Sequence, residues 1–184
     1  MILGGSGNVG QFAVQTAKLC GYHVLATCSS SNESGVKHNG ADATLDYKLD
    51  LETQLKHVKS ITGGNLIAVY DTSAQAAAAG LQFLDKASTA EKRAFATTGD
   101  WAPLDLPKNV TSSTRVLLGP IGRGTELDKE IAGFVPYVER YLVEGKLRPA
   151  EVKVVEGGLE AVPEAVEMAG RNPGKKVVVH VADP

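Results

Sequence analysis

Seven residues near the amino end, Gly4-Gly5-Ser6-Gly7-Asn8-Val9-Gly10, constrain this chain more tightly than any other stretch. They satisfy G-x-G-x-x-G at Gly5, Gly7 and Gly10. They follow Met1-Ile2-Leu3, which reads as the end of a strand. They open a helix expected over Asn8 to Cys20, with Val9, Ala13 and Ala17 on one face and Gly21 as its stop. Glycine serves three needs in such a turn: the bend is tight, the backbone must approach a ligand closely, and the helix must pack hard on the strand. The helix then offers free N–H groups and the positive end of its dipole to an anion, and a diphosphate fits that description. There is no G-K-[ST], so the P-loop arrangement is excluded.

Downstream, short β-branched runs alternate with longer helical patterns, the rhythm of βαβ units and a parallel sheet. Strands are expected at His23 to Thr27, Ala43 to Asp46, Leu66 to Tyr70, Arg93 to Thr97 and Thr114 to Leu118. Helices are expected at Asn32 to Asn39, Leu51 to Ile61 and Ala74 to Leu84. Gly99 to Ser113, with Pro103 and Pro107, reads as loop. A long helix is expected over Asp128 to Glu144, bent or broken at Gly133 or Pro136. A strand (Val152 to Val155), a helix (Leu159 to Ala169) and a strand (Lys176 to Val181) close the chain. The fold class is therefore α/β: a Rossmann-type, doubly wound, mostly parallel sheet with helices on both faces. Residues 1–150 form the dinucleotide-binding unit and residues 151–184 a strand-helix-strand appendage. Only about three residues precede the glycine turn, against about 5–6 in a typical strand. The first strand, central in such a sheet, reads as truncated, which leads us to expect that the chain begins inside a larger protein.

The 184 residues are 43% hydrophobic and 22% charged, enough for one domain with a sizeable core. A net charge of −2 provides no general attraction for nucleic acid or an anionic membrane. No apolar run approaches the ~18 residues that span a bilayer, and no secretory signal pattern opens the chain. Cys20 and Cys28 make no disulfide framework, so reduced thiols and a cytoplasmic setting are expected.

The second strand leads into Ser29-Ser30-Ser31-Asn32. In NAD enzymes an acidic residue about 20 positions after the turn holds the ribose 2′-hydroxyl. Here no carboxylate appears before Glu33. Three hydroxyls and an amide are placed to donate to a 2′-phosphate, with Lys37 a helical turn further on. This favours NADP(H) over NAD, and it counts against a methyltransferase, which would want the acid. The competing reading is a polar loop whose hydroxyls cap the next helix.

With these pieces in hand, the chain resembles the cofactor domain of the medium-chain dehydrogenase/reductase superfamily. Within it, the zinc-independent branch of quinone reductases and fungal trans-enoyl reductases is the nearest likeness. The residues that carry the resemblance are Leu3 to Gly10, Leu25-Ala26-Thr27-Cys28-Ser29, Gly40-Ala41-Asp42-Ala43, Asp46-Tyr47, Tyr70-Asp71, Gly157 to Ala165 and Gly174 to Val179. The resemblance implies that Gly4, Gly5, Ser6, Gly7, Asn8, Val9 and Gly10 cradle the pyrophosphate. It implies that Ser29, Ser30, Ser31 and Asn32 hold the 2′-phosphate, with Tyr47 near it, and that Thr97-Thr98 and Leu118-Gly119 approach the nicotinamide. From the residues alone, Tyr47 reads equally well as a half-buried aromatic at a strand end. Family members also carry a preceding GroES-like, barrel-shaped catalytic domain. It supplies most of the substrate pocket and, in zinc-dependent relatives, the catalytic metal ligands; nothing of it is present here.

The expected function is the NADP(H)-binding portion of an oxidoreductase that passes hydride to a small-molecule enoyl, enone or quinone substrate. A homo-oligomer or a partner supplies the missing domain. The alternative is a truncated or remnant nucleotide-binding domain without catalysis of its own. No catalytic residue is identifiable and no metal site is expected: the cysteines lack ligand spacing, and His23, His38, His57 and His180 are scattered. No tyrosine has a lysine four residues on, which removes the short-chain dehydrogenase pattern. Asp71, at a strand end, reads equally as a loop cap or a coenzyme contact. Lys175 and Lys176 read as phosphate ligands or as strand flanks.

Overall fold

The computed structural model describes residues 1–99, 103–115, 125–171 and 174–181. Strands β1 (Ile2–Leu3), β2 (Leu25–Cys28), β3 (Ala43–Asp46), β4 (Ala68–Asp71), β5 (Arg93–Thr97) and β6 (Val110–Arg115) form one six-stranded sheet. Its order is β3-β2-β1-β4-β5-β6, with every neighbouring pair parallel. This is the doubly wound Rossmann order expected from the sequence. β1 is only two residues long, yet it pairs on both sides: Ile2 with Ala26 and Tyr70, and Leu3 with Asp71.

Side chains alternate across the sheet, and the two faces are filled differently. Leu3, Leu25, Leu45, Val69 and Phe95 join one buried cluster with Val58 of α3 (Leu51–Thr62) and Leu81 and Leu84 of α4 (Ala77–Lys86). On the opposite face Ile2, Ala26 and Cys28 pack with Val14 of α1 (Gly10–Leu19) and Val36 of α2 (Glu33–His38). Asp50 starts α3 by accepting hydrogen bonds from the Thr53 amide (2.9 Å) and hydroxyl (2.7 Å).

Four expectations are corrected. The sixth strand lies at Val110–Arg115: it begins at Val110, within the stretch read as loop, and includes Thr114 and Arg115 of the expected strand, whose residues 116–118 fall outside the described residues. Its sequence, VTSSTR, carries no apolar run because it pairs on one side only, with β5, and its middle residues face solvent. The helix expected from Ala74 starts at Ala77: Ala74 adopts a φ of 61°, in the left-handed region, and Asp71 gathers the loop before the helix. The short helix at Asn32 is preceded by a 3₁₀ turn, Ser30–Asn32. Helix α5 (Glu126–Val143) runs unbroken through Gly133 and Pro136, although proline withholds the N–H that would reach Ala132.

At the carboxyl end β7 (Val152–Val155) and β8 (Lys176–Val179) make a separate parallel pair. A 3₁₀ turn (Gly158–Ala161) and α6 (Val162–Gly170) connect them. Apolar side chains stay uncovered here and on α5: Leu159 and Val166 are each 66% exposed and Phe134 is 67% exposed. No described helix is long and apolar enough to cross a membrane.

The layer of α4 is held close to the sheet by Gly80. A Cβ there would meet Phe95 at 2.9 Å, Leu3 at 3.0 Å and Val69 at 3.1 Å, three side chains of the buried cluster. Gly80→Val overpacks this contact and lowers stability by about 2–3 kcal/mol, read as an earlier midpoint in urea denaturation. An unchanged midpoint would place α4 further from the sheet.

Candidate functional site

The glycine turn lies between the ends of β1 and β2 and is held by two threonines. The Gly4 amide donates to Thr27 Oγ1 at 2.9 Å and the Gly5 amide to the Thr27 carbonyl at 2.8 Å. From the other side Thr72 Oγ1 donates to the Leu3 carbonyl at 2.7 Å, with the Gly4 carbonyl at 3.3 Å. The chain turns so sharply that a Cβ on Gly10 would lie 2.0 Å from the Gly4 carbonyl oxygen, so no side chain fits. The amides of Asn8, Val9 and Gly10 have no protein acceptor among the described residues, and they stand at the amino end of α1. Uncommitted donors, a helix dipole and a backbone stripped of side chains together suit a diphosphate.

Ser29 to Asn32 follow β2 at the same edge. Ser29 Oγ lies 3.0 Å from Ser31 Oγ. Neither Ser29 nor Asn32 caps a helix through its side chain, so the hydroxyls are not consumed as caps. The first carboxylate, Glu33, is occupied: it pairs with Lys37 at 2.6 Å and accepts from Thr44 Oγ1 at 2.9 Å. The Lys37 bond, then the Thr44 bond, holds its carboxyl below the usual range. Lys37, placed near the 2′-phosphate by sequence, is thus drawn to Glu33.

A polar cleft of about 550 Å³ brings Ser6, Ser31 and Asn32 together between α1 and α2. Ser29 and Ser30 precede it without lining it. Tyr47 sits in the turn after β3, half exposed, and is not in the cleft. The cleft also gathers Lys175, read from the sequence as a phosphate ligand or a strand flank, and Gln11 and Arg148, which the sequence had not singled out. Gln15, almost wholly buried, carries the chain there. Its Oε1 accepts from the Arg148 amide at 2.8 Å and its Nε2 donates to the Arg148 carbonyl at 3.1 Å. The Arg148 guanidinium donates to His38 Nε2 at 3.0 Å and to the His38 carbonyl.

Asp71 is resolved as a structural residue. It is fully buried, and its carboxylate accepts from the Ser73 amide and hydroxyl (3.0 and 2.7 Å), the Ala76 amide (3.2 Å) and Thr97 Oγ1 (3.1 Å). Thr97 is committed to that network, and the Thr98 amide donates to the Asp71 carbonyl. Leu118 and Gly119 lie outside the described residues. Burial, then the charges of Glu33 and Asp46, raises the Cys28 thiol above its ordinary range. Among the described residues no three His, Cys, Asp or Glu side chains cluster as metal ligands. A second, mostly apolar cleft of about 520 Å³, between residues such as Tyr22, Ile61, Ile67 and Ala94, opens towards the amino ends of the strands. Nucleotides bind such sheets at the other edge.

Sequence reasoning missed Thr27, Thr72 and Gln11. The only available signal for the threonines was a hydroxyl at the end of each strand flanking β1.

Comparison with known proteins agrees with this geometry. The family model described as zinc-binding dehydrogenase matches residues 8–96. The trans-enoyl reductase poxP of Penicillium oxalicum is 29% identical, over 98% of this chain and 51% of its own length. The chain spans about half the length of the curated relatives that it matches end to end. Among solved structures, a quinone oxidoreductase of Pseudomonas syringae superposes with a TM-score of 0.73 at 23% identity, covering 97% of this chain and 55% of that one. A mycobacterial protein solved in complex with NADPH superposes with a TM-score of 0.71 at 22% identity, covering 97% and 56%. At these identities the superpositions show the fold alone. Over residues 8–96 the chain is thus similar to the zinc-binding dehydrogenase domain, and its sheet order is that of a dinucleotide-binding fold.

Proposed function

We propose that residues 1–150 bind NADP(H), with the diphosphate on the Asn8, Val9 and Gly10 amides and the 2′-phosphate beside Ser6, Ser31 and Asn32. Ser29, Ser30 and Tyr47 flank that phosphate. The observation that carries this reading is the meeting, at one sheet edge, of uncommitted backbone donors with hydroxyls that cap nothing and face no free carboxylate. A carboxylate there would repel the phosphate, so the engagement of Glu33 by Lys37 and Thr44 matters as much as the donors. The nicotinamide supplies hydride; the protein binds and orients the coenzyme. The substrate is an activated double bond or quinone, a class suggested by relatives named as trans-enoyl reductases and quinone oxidoreductases. Residues 151–184 dock on a substrate-binding domain supplied by a longer form of the protein or by a partner, or pack against a second copy; their uncovered apolar side chains suit such a contact. Free thiols at Cys20 and Cys28 suit the cytoplasm.

In a titration followed by nicotinamide fluorescence, the folded chain binds NADPH about tenfold more tightly than NADH, a difference of about 1.4 kcal/mol. Equal affinities would remove the 2′-phosphate assignment, and no binding of either at millimolar concentration would remove the site. Ser31→Asp sets a carboxylate against the phosphate; it weakens NADPH about tenfold and leaves NADH within about twofold. Stopped-flow NADPH oxidation with a panel of enones and quinones tests the chemistry. Absence of turnover by a chain that binds NADPH would confine its role to holding the coenzyme.

A further inference from the structure

The second residue of α1 has an unmet requirement. Gln11 is only 6% exposed, and its Nε2 is buried without a hydrogen-bond partner. Its backbone is fully used: the amide donates to the Gly7 carbonyl, and the carbonyl accepts from Gln15 Nε2 at 3.3 Å. An orphaned buried donor destabilises a fold by about 1–3 kcal/mol, so it calls for an explanation. Gln11 lines the cleft that also holds Ser6, Ser31 and Asn32, one helix residue beyond the free Gly10 amide. Gln11 therefore borders a space with room for a ligand.

The chemistry of the cleft says which ligand. Beside the hydroxyls and carboxamides it holds two cationic side chains, Arg148 and Lys175, and one carboxylate, Glu151. Lys175 pairs with Glu151 at 2.8 Å. Among the described residues the Arg148 guanidinium donates to His38, at Nε2 and at the carbonyl, and to no carboxylate. Among the described residues one positive charge in the cleft, Arg148, thus has no carboxylate partner. A phosphomonoester, with three acceptor oxygens and close to two negative charges, is the complement.

We propose that Gln11 is a coenzyme-contacting residue whose Nε2 donates to the 2′-phosphate on the adenosine ribose, with Arg148 supplying the balancing charge. This rests on the NADP(H) reading above and adds to it a residue inside α1 and a charge brought from 137 positions away.

The test compares the 184-residue chain with its Gln11→Leu and Gln11→Glu variants by calorimetric titration with 2′,5′-ADP, 5′-AMP and inorganic phosphate. Wild type is expected to prefer 2′,5′-ADP to 5′-AMP. Gln11→Leu weakens 2′,5′-ADP about tenfold and leaves 5′-AMP within about twofold, while the ligand-free melting temperature holds or rises because the orphaned donor is gone. A merely structural glutamine would instead lower the melting temperature and leave the preference intact, which overturns the proposal. Gln11→Glu abolishes the preference. If free phosphate binds as tightly as 2′,5′-ADP with the same sensitivity to Gln11, the cleft is a general phosphate site and the coenzyme assignment falls. If wild type binds 2′,5′-ADP and both variants match it, Gln11 is excluded while the NADP(H) reading stands; if wild type binds no nucleotide, both fall. Should neither variant fold, the Gln11 side-chain amide resonance of wild type decides. It shifts on addition of 2′,5′-ADP and not of 5′-AMP, and a resonance that ignores both overturns the proposal.

Discussion

Thr27 fixes the point from which the site is built. Its carbonyl and its hydroxyl take the amides of Gly5 and Gly4, so one residue of β2 sets both the start and the direction of the glycine turn. Thr72, one residue past β4, holds the Leu3 and Gly4 carbonyls from the opposite side. Each bond contributes only about 0.5–1.5 kcal/mol net. Their value is positional, because they act on a β1 that pairs through just two residues. The Gly4 carbonyl then stands where a Cβ on Gly10 would be, which brings α1 onto the end of the strand and leaves its first amides clear of the backbone.

From that point the two faces of the sheet do different work. The α3–α4 face is filled by leucines and phenylalanines and supplies most of the burial. The α1–α2 face is filled by Val14, Val24, Ala26, Cys28, Val36 and Ala41, with Ala13 and Ala17 against them. Small side chains let both helices lie close to the strands. Both helices follow parallel strands of the same sheet, so their amino ends face the same edge. The cleft lies between them, where a doubly wound sheet leaves its crevice. A larger residue at Ala26 would disturb the turn as well as the core, since a Cβ on Gly5 would already approach Ala26 Cβ at 2.9 Å.

What the sequence disclosed follows from how local each signal is. The glycine turn, β3 and β5 were legible because period, flanks and turn residues all lie within a few positions of one another. β6 was not, because an edge strand needs partners for its backbone on one side and no apolar side chains. Pro136 marked no boundary: α5 continues through it, with Phe134, Val135 and Tyr137 exposed around it. Asp71 was ambiguous because a strand-end acid suits a cap as well as a ligand; only its four hydrogen bonds separate the two. Lys37 looked like a phosphate ligand four residues after Glu33, yet that spacing is also the one that pairs glutamate with lysine on a helix.

The least legible part of the site is its charge. The lysines near the turn in sequence are neutralised: Lys18 by Asp42 and Lys37 by Glu33. Arg148, a cation of the cleft with no carboxylate partner among the described residues, arrives after α5. It is placed by Gln15, which reads the Arg148 peptide group as a base is read by its pair, one donor and one acceptor at a time. Because Gln15 is buried on α1, the turn that frees the amides and the residue that brings the charge belong to one rigid helix. On the proposed reading, backbone donors at the start of α1 suffice for the diphosphate. Discrimination of the extra phosphate needs fixed charge in a partly enclosed space, where screening by water is weaker. On the proposed reading, a preference for one coenzyme over the other rests on the folded return of the chain onto α1 and not on the glycine motif alone.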